Sequence, residues 1–170
     1  MTIRRQLLGL AAAAAALAGA GHAAAQTSQT ATGSITVMQP VLNVTKTADL
    51  AFGSVIRPTS GSGTISIDPN TGAVSTSNLG QAGGNSTSRA SFNVEGQANA
   101  NIQVTYPASI NLLRSGGSET LQVNLTSSMG GGQIGSGGTV AFHIGGQVTL
   151  QAATITGAYS NSFTVTVAYN

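Results

Sequence analysis

Apolar residues recur at every second position along most of this chain, which is the period of a β-strand with one buried face. Ile35 and Val37 alternate with Ser34 and Thr36, and Leu42 and Val44 follow Pro40. Leu50 and Phe52 flank Ala51 and end at Gly53. The same alternation marks Ile65/Ile67, Phe92/Val94, Ile102/Val104/Tyr106, Ile110/Leu112 and Leu121/Val123/Leu125. It returns in Val140/Phe142/Ile144, Val148/Leu150 and Phe163/Val165/Val167/Tyr169. Turn-rich stretches separate these runs: Pro58 to Gly63, Asp68 to Gly72, Asn78 to Ser88, Ser115 to Gly117 and Gly130 to Gly138. Gly145-Gly146 is expected to close a tight hairpin between Ile144 and Val148, because glycine accepts the positive φ of such turns. The glycine-rich Gly130 to Gly138 stretch is expected to be a flexible hairpin loop. No segment after the N-terminal region carries a sustained 3.6-residue apolar stripe, and no internal repeat is evident. Many short alternating strands predict an all-β, antiparallel sandwich or barrel.

The N-terminal region reads differently. Arg4 and Arg5 form a positive start, Leu7 to Ala20 is an uncharged apolar run, and Ala23-Ala24-Ala25 supplies small residues for cleavage before Gln26. Residues 1–25 are therefore expected to be a secretory signal. Residues 26–170 are expected to form a single exported domain in the periplasm, at the outer surface or outside the cell, with no integral membrane segment left after cleavage.

Cleavage changes the charge. The formal net charge of +2 includes Arg4 and Arg5, so removing those two leaves zero. What remains is Lys46, Arg57, Arg89 and Arg114 against Asp49, Asp68, Glu95 and Glu119. A chain with this balance has no basic patch for nucleic acid. Cysteine is absent, so neither a disulfide framework nor a thiolate site is available.

Candidate chemistry is sparse. His143 is the one histidine beyond the predicted signal, and it sits between Phe142 and Ile144 at an outward position of a strand. One histidine and four scattered acids make no catalytic triad, metal site or carboxylate pair in sequence. No catalytic, cofactor-binding or metal-ligating residue is expected, and the protein is read as a non-enzyme. Asn43-Val-Thr45, Asn85-Ser-Thr87 and Asn124-Leu-Thr126 match the glycosylation triplet at the frequency expected of so Asn- and Thr-rich a chain.

The ending is the most specific feature. From Gly157 an alternating run reaches Tyr169 and Asn170 with nothing after it. Burying Phe163, Val165, Val167 and Tyr169 would contribute roughly 6–12 kcal/mol gross, at about 1.5–3 per side chain. Net domain stability is only about 5–15 kcal/mol, so this strand is expected to be essential to the fold. Here the chain resembles the subunits of chaperone–usher pili, including the spore coat protein U group, which carry a glycine 14 residues from the C-terminus and a penultimate tyrosine. Gly157 and Tyr169 match those positions, and Leu50-Ala-Phe52-Gly53 is similar to the Leu-x-Phe-Gly near the start of that domain. Over about residues 28–170 the chain is also similar to the secreted bacterial family called domain of unknown function 4402, with Thr45 to Gly53 and Tyr159 to Tyr169 carrying the likeness.

The resemblance implies an immunoglobulin-like, pilin-like β-sandwich of a Gram-negative-type bacterium. It also implies assembly by strand donation, with a periplasmic chaperone and usher and other copies of the chain as partners. The C-terminal strand, Gly157, Phe163, Val165, Val167, Tyr169 and Asn170, would border the acceptor groove. Residues 27–38 would be the donor, with Ala31, Gly33, Ile35 and Val37 in register. Many of those relatives carry a disulfide with one cysteine near the position of Asn43, and this chain has none. The second reading is therefore a self-complete monomer in which residues 27–38 pair within their own domain. Such a monomer would serve as an envelope binding module, for glycans with Tyr159 as the exposed aromatic.

Overall fold

A computed structural model describes residues 27–37, 41–81 and 86–170. The predicted signal peptide lies outside the described residues. The chain divides into two compact units, residues 1–37 and 38–170. In the first, every described residue is exposed and none belongs to a strand, so the strand expected at Ile35 and Val37 is not formed.

The second unit is all-β, and its described residues form no helix. The largest sheet is built around β11 (Thr139–Gln151), which pairs antiparallel with β6 (Ala90–Gly96) along its first half and with β3 (Ser62–Ile67) along its second. On its other edge lies β9 (Thr120–Ser127), followed by β8 (Ser109–Arg114) and β12 (Tyr159–Ser160). The opposite margin is β1 (Leu42–Ala48), paired only with β6, while β4 (Val74–Ser77) hairpins onto β3. The second sheet has β7 (Asn101–Thr105) between β10 (Gly131–Gln133) and β13 (Thr166–Tyr169). A small ribbon joins β2 (Val55–Ile56) to β5 (Gly80–Gln81).

One core joins the two sheets into a β-sandwich. Ile65, Val94, Phe142, Ile144 and Val123 come from the large sheet, and Ile102 and Val104 from the small one. Phe92 and Phe142 are cross-strand partners whose rings stack with centroids 5.1 Å apart, a contact that adds about 0.5–1.5 kcal/mol to their area burial.

The turns follow the sequence chemistry. The Asp68 carboxylate accepts the N–H groups of Asn70 (2.7 Å) and Thr71 (3.0 Å), and Gly72 takes φ 76° to return the chain into β4. Gly116, at φ 73°, does the same between β8 and β9.

Two sequence expectations fail. Gly145-Gly146 closes no hairpin: both residues lie buried in the middle of β11, and neither has a positive φ. They are needed for close approach instead. A Cβ on Gly145 would stand 2.0 Å from the Ile67 carbonyl oxygen, and one on Gly146 2.7 Å from that of Asn124. The Gly130 to Gly138 stretch is likewise no plain loop. Its Gly131–Gln133 part pairs with β7, and Ile134 is fully buried.

Candidate functional site

The two sheets do not close on each other along one side. Among the described residues, β1 ends the large sheet and pairs with β6 alone, while β13 ends the small one and pairs with β7 alone. The main-chain groups of these two margins can be assigned from the ladder. Asn170 N–H donates to Asn101 O, and Val104 N–H donates to Gly130 O on the β10 side. Hydrogen bonding alternates along an antiparallel pair, so Thr166 and Ala168 bond to β7, and the main chain of Val167 and Tyr169 faces the open edge. Gly96 N–H donates to Gly138 O, beside the first residue of β11. By the same alternation Asn43 and Thr45 bond to β6, and the main chain of Leu42 and Val44 faces outward.

A cleft opens between the segment that follows β1 and the segment that precedes β13. Its larger part has a volume of about 690 Å³ and lies between residues 50–57 and 154–161, with Ile65, Val148 and Leu150 beneath. The second part, about 240 Å³, lies between Lys46, Asp49 and residues 161–163, with Ala90, Phe92 and Val123 beneath. Leu50, Phe52, Leu112 and Asn161 border both parts, so the two are continuous.

Side-chain burial along the walls tells the same story. On β6, β9 and the ends of β11 the alternation includes fully buried residues. At Leu42, Val44, Leu50 and Phe52, and at Phe163, Val165, Val167 and Tyr169, the apolar partner in the alternation is only half-buried. All of them pack against the core, and Leu50, Phe52 and Phe163 also line the cleft. Residues 161–165 form no strand although their pattern is that of one.

Beyond the cleft, Tyr169 ties the two margins to each other. Its hydroxyl accepts the Gln97 N–H at 2.8 Å and donates to the Val41 carbonyl. That seat requires a glycine at position 96, where a Cβ would lie 2.6 Å from the Tyr169 oxygen and 2.7 Å from Ile134 Cδ1. At the cleft itself Gly157 passes the Arg114 side chain, and a Cβ there would lie 2.9 Å from Cδ. Arg114 cannot easily yield, because Nε donates to Glu119 Oε2 at 2.6 Å. That bond raises the Arg114 pKa and lowers that of Glu119.

The structure thus places Gly157 and Phe163 in the cleft lining, carries Val165, Val167 and Tyr169 beyond it, the last two in β13, and fixes Asn170 through its N–H to Asn101 O at 3.0 Å. The proposed donor residues are all exposed, Ile35 at 87 % and Val37 at 86 %, and a Cβ on Gly33 would meet nothing within 4 Å. Tyr159 is half-buried at the cleft, with its hydroxyl donating to Ile155 O at 2.7 Å, so it offers no open aromatic platform. Sequence reasoning passed over Arg57 at the rim; a single arginine before Pro58 in a turn gives no signal of its own.

His143 is also better connected than an outward strand residue suggests. It is half-buried, and Nδ1 lies 3.0 Å from Ser91 Oγ. Burial, with the Arg89 charge nearby, lowers its pKa from 6.5. Arg89 is in turn held by the carbonyls of Pro69 and Asn70. Among the described residues no three His, Asp or Glu side chains converge as a metal would need. No helix among them is long and apolar enough to cross a membrane.

A family model described as "Domain of unknown function (DUF4402)" matches residues 42–169, which covers β1 to β13. No curated protein and no solved structure matches the chain.

Proposed function

The chain belongs to the DUF4402 family, and from that premise we propose that it is an exported structural protein of the cell envelope whose copies join by strand donation. The observation that carries this reading is an incomplete sandwich in a chain that also carries an exposed segment of strand-like pattern. Two sheet margins from opposite layers, β1 and β13, end without a further partner among the described residues, and a cleft between the segments that adjoin them, residues 46–57 and 154–163, reaches core residues such as Phe92 and Val123. Meanwhile Ala31, Gly33, Ile35 and Val37 repeat at the strand period with their side chains in solvent. An extended segment from a second copy would bond to the open main chain of β1 and β13 and cover the half-buried side chains of both walls. The immunoglobulin-like topology and the need for a periplasmic chaperone belong to the same proposal, since an open cleft of this kind is an aggregation hazard until it is filled.

The test is the size of the purified chain by light scattering, before and after Ile35→Asp/Val37→Asp. The intact chain forms dimers or longer polymers and the double variant stays monomeric. A synthetic peptide of residues 27–38 then binds the double variant in a 1:1 ratio. A native chain that remains monomeric at high concentration and takes up no peptide overturns the reading.

A further inference from the structure

The larger part of the cleft holds a feature that strand donation leaves unused. Arg57 stands at its rim, with Nη1 donating to the carbonyls of Ala152 (2.5 Å) and Thr154 (2.9 Å). Those two bonds anchor the guanidinium without neutralising it. All four acids of the domain lie among the described residues. Asp49 pairs with Lys46, Glu119 pairs with Arg114, and none forms an ion pair with Arg57. The Asp68 carboxylate is committed to its own turn. Beneath this cation lies an apolar floor that includes Ile65, Leu121, Val148 and Leu150. Its volume, about 690 Å³, falls within the roughly 300–1,000 Å³ of small-molecule sites. Residues 27–37 carry no charge, so an inserted copy of that segment supplies nothing for Arg57 to bind.

We propose that this cavity binds a long-chain carboxylate of the fatty-acid class, with the head group on Arg57 and the alkyl chain along the Val148–Leu150 floor. One anchored cation at the exposed rim of a hollow with no other charged lining residue, with polar groups such as Thr154 and Asn161 on the wall and an apolar floor, fits a singly charged head with a single apolar tail. A charged donor–acceptor pair of this kind is worth more than a neutral one, and the floor rewards chain length.

The experiment is calorimetric titration of the purified Ile35→Asp/Val37→Asp chain with saturated carboxylates of increasing length, below their micelle concentrations. The matching alcohols serve as controls. Binding is expected to saturate at one ligand per chain and to tighten about three- to fourfold per added methylene until the cavity is full. Dodecanoate is expected to bind about tenfold or more tightly than dodecanol. That preference disappears in Arg57→Gln and persists in Arg57→Lys, which keeps the charge and guards against a trivial folding defect. Absence of saturable binding, equal binding of acid and alcohol, or an unchanged preference in Arg57→Gln overturns the proposal. Its fate is separable from that of strand donation. Uptake of the 27–38 peptide without dodecanoate binding sinks this site alone, and dodecanoate binding without peptide uptake supports this site and counts against donation.

Discussion

The smallest units that decide this fold are polar contacts at its open margin and on its covered face. Tyr169 contributes through its hydroxyl more than its ring, which stays half-buried. That oxygen ties the entry of β1 at Val41 to the main chain of Gln97 just beyond β6. Tyr169→Phe keeps the ring and removes both bonds, and should cost about 1–3 kcal/mol in urea unfolding. A change below a few tenths of a kcal/mol would mean the bridge is incidental. His143 makes a different prediction. Burial holds its folded pKa below the ordinary 6.5, so the folded state resists the proton that the unfolded chain accepts. The domain is therefore at full strength, as far as this residue goes, above about pH 6.5, and weakens as pH falls from there to the lowered folded value. His143→Asn should flatten the stability profile just below about pH 6.5. It should leave intact the loss at lower pH caused by Asp68, whose carboxylate is held below its usual range by the Thr71 and Asn70 N–H groups. An unchanged slope in the variant would remove His143 from the account.

At the scale of the element, alternation proved readable wherever a strand has neighbours on both edges. The apolar sets of β6, β7 and β9 are those of the sequence pattern. The pattern is silent where glycine removes the side chain. β10 consists of Gly131, Gly132 and Gln133, so its pairing with β7 leaves no apolar trace, and Ile134 beside it shows no period. The pattern also misleads where it reports a face without a partner. Leu50/Phe52 and Phe163/Val165 alternate like strands, yet they form none, and Leu50, Phe52 and Phe163 line the cleft instead. Alternation records which side chains want burial and says nothing of whether a neighbouring main chain is there to pair with. The half-buried C-terminal run was thus legible residue by residue, while the cleft and Arg57 at its rim were not. Gly145 shows a related ambiguity, since a turn glycine and a close-contact glycine look alike in sequence. Gly145→Ala distinguishes them. In a hairpin turn of positive φ the change would be a modest strain. In the middle of β11 the new Cβ meets the Ile67 carbonyl at 2.0 Å and the Pro69 nitrogen at 2.8 Å. Both are main-chain atoms that cannot rotate away. The variant should lose about 3 kcal/mol or more, read as a drop in melting temperature, and a loss under about 1 kcal/mol would return Gly145 to the turn class.

For the whole molecule, the decisive property is how little charge it has to regulate association. Removing Arg4 and Arg5 from a net charge of +2 leaves zero. Sheet margins in monomeric proteins are usually guarded by lysine, proline or a bulge. β13, Thr166-Val167-Ala168-Tyr169, has no charged residue and no proline. On the facing margin, the bulge between Lys46 and Ala48 and the Lys46–Asp49 ion pair lie toward the end of β1, and Leu42 to Thr45 remain unguarded. Residues 27–37 are uncharged as well. Association through these parts would rest on main-chain hydrogen bonds and apolar burial, neither of which responds to counter-ions. The Debye length shrinks from about 10 Å at 0.1 M salt to about 3 Å at 1 M, so an assembly held by complementary charge would loosen across that range. Strand donation in this chain should show the opposite. The polymer fraction by light scattering should hold constant or rise between about 0.1 and 1 M sodium chloride, because salt leaves the ladder intact and does not weaken apolar burial. It should fall only in denaturant, in step with unfolding of the acceptor, since the inserted segment would be part of the same core. Polymers that dissolve in 1 M salt with their β-spectrum unchanged would show that the copies meet through some other surface, and the open margin of β1 and β13 would then need a different occupant.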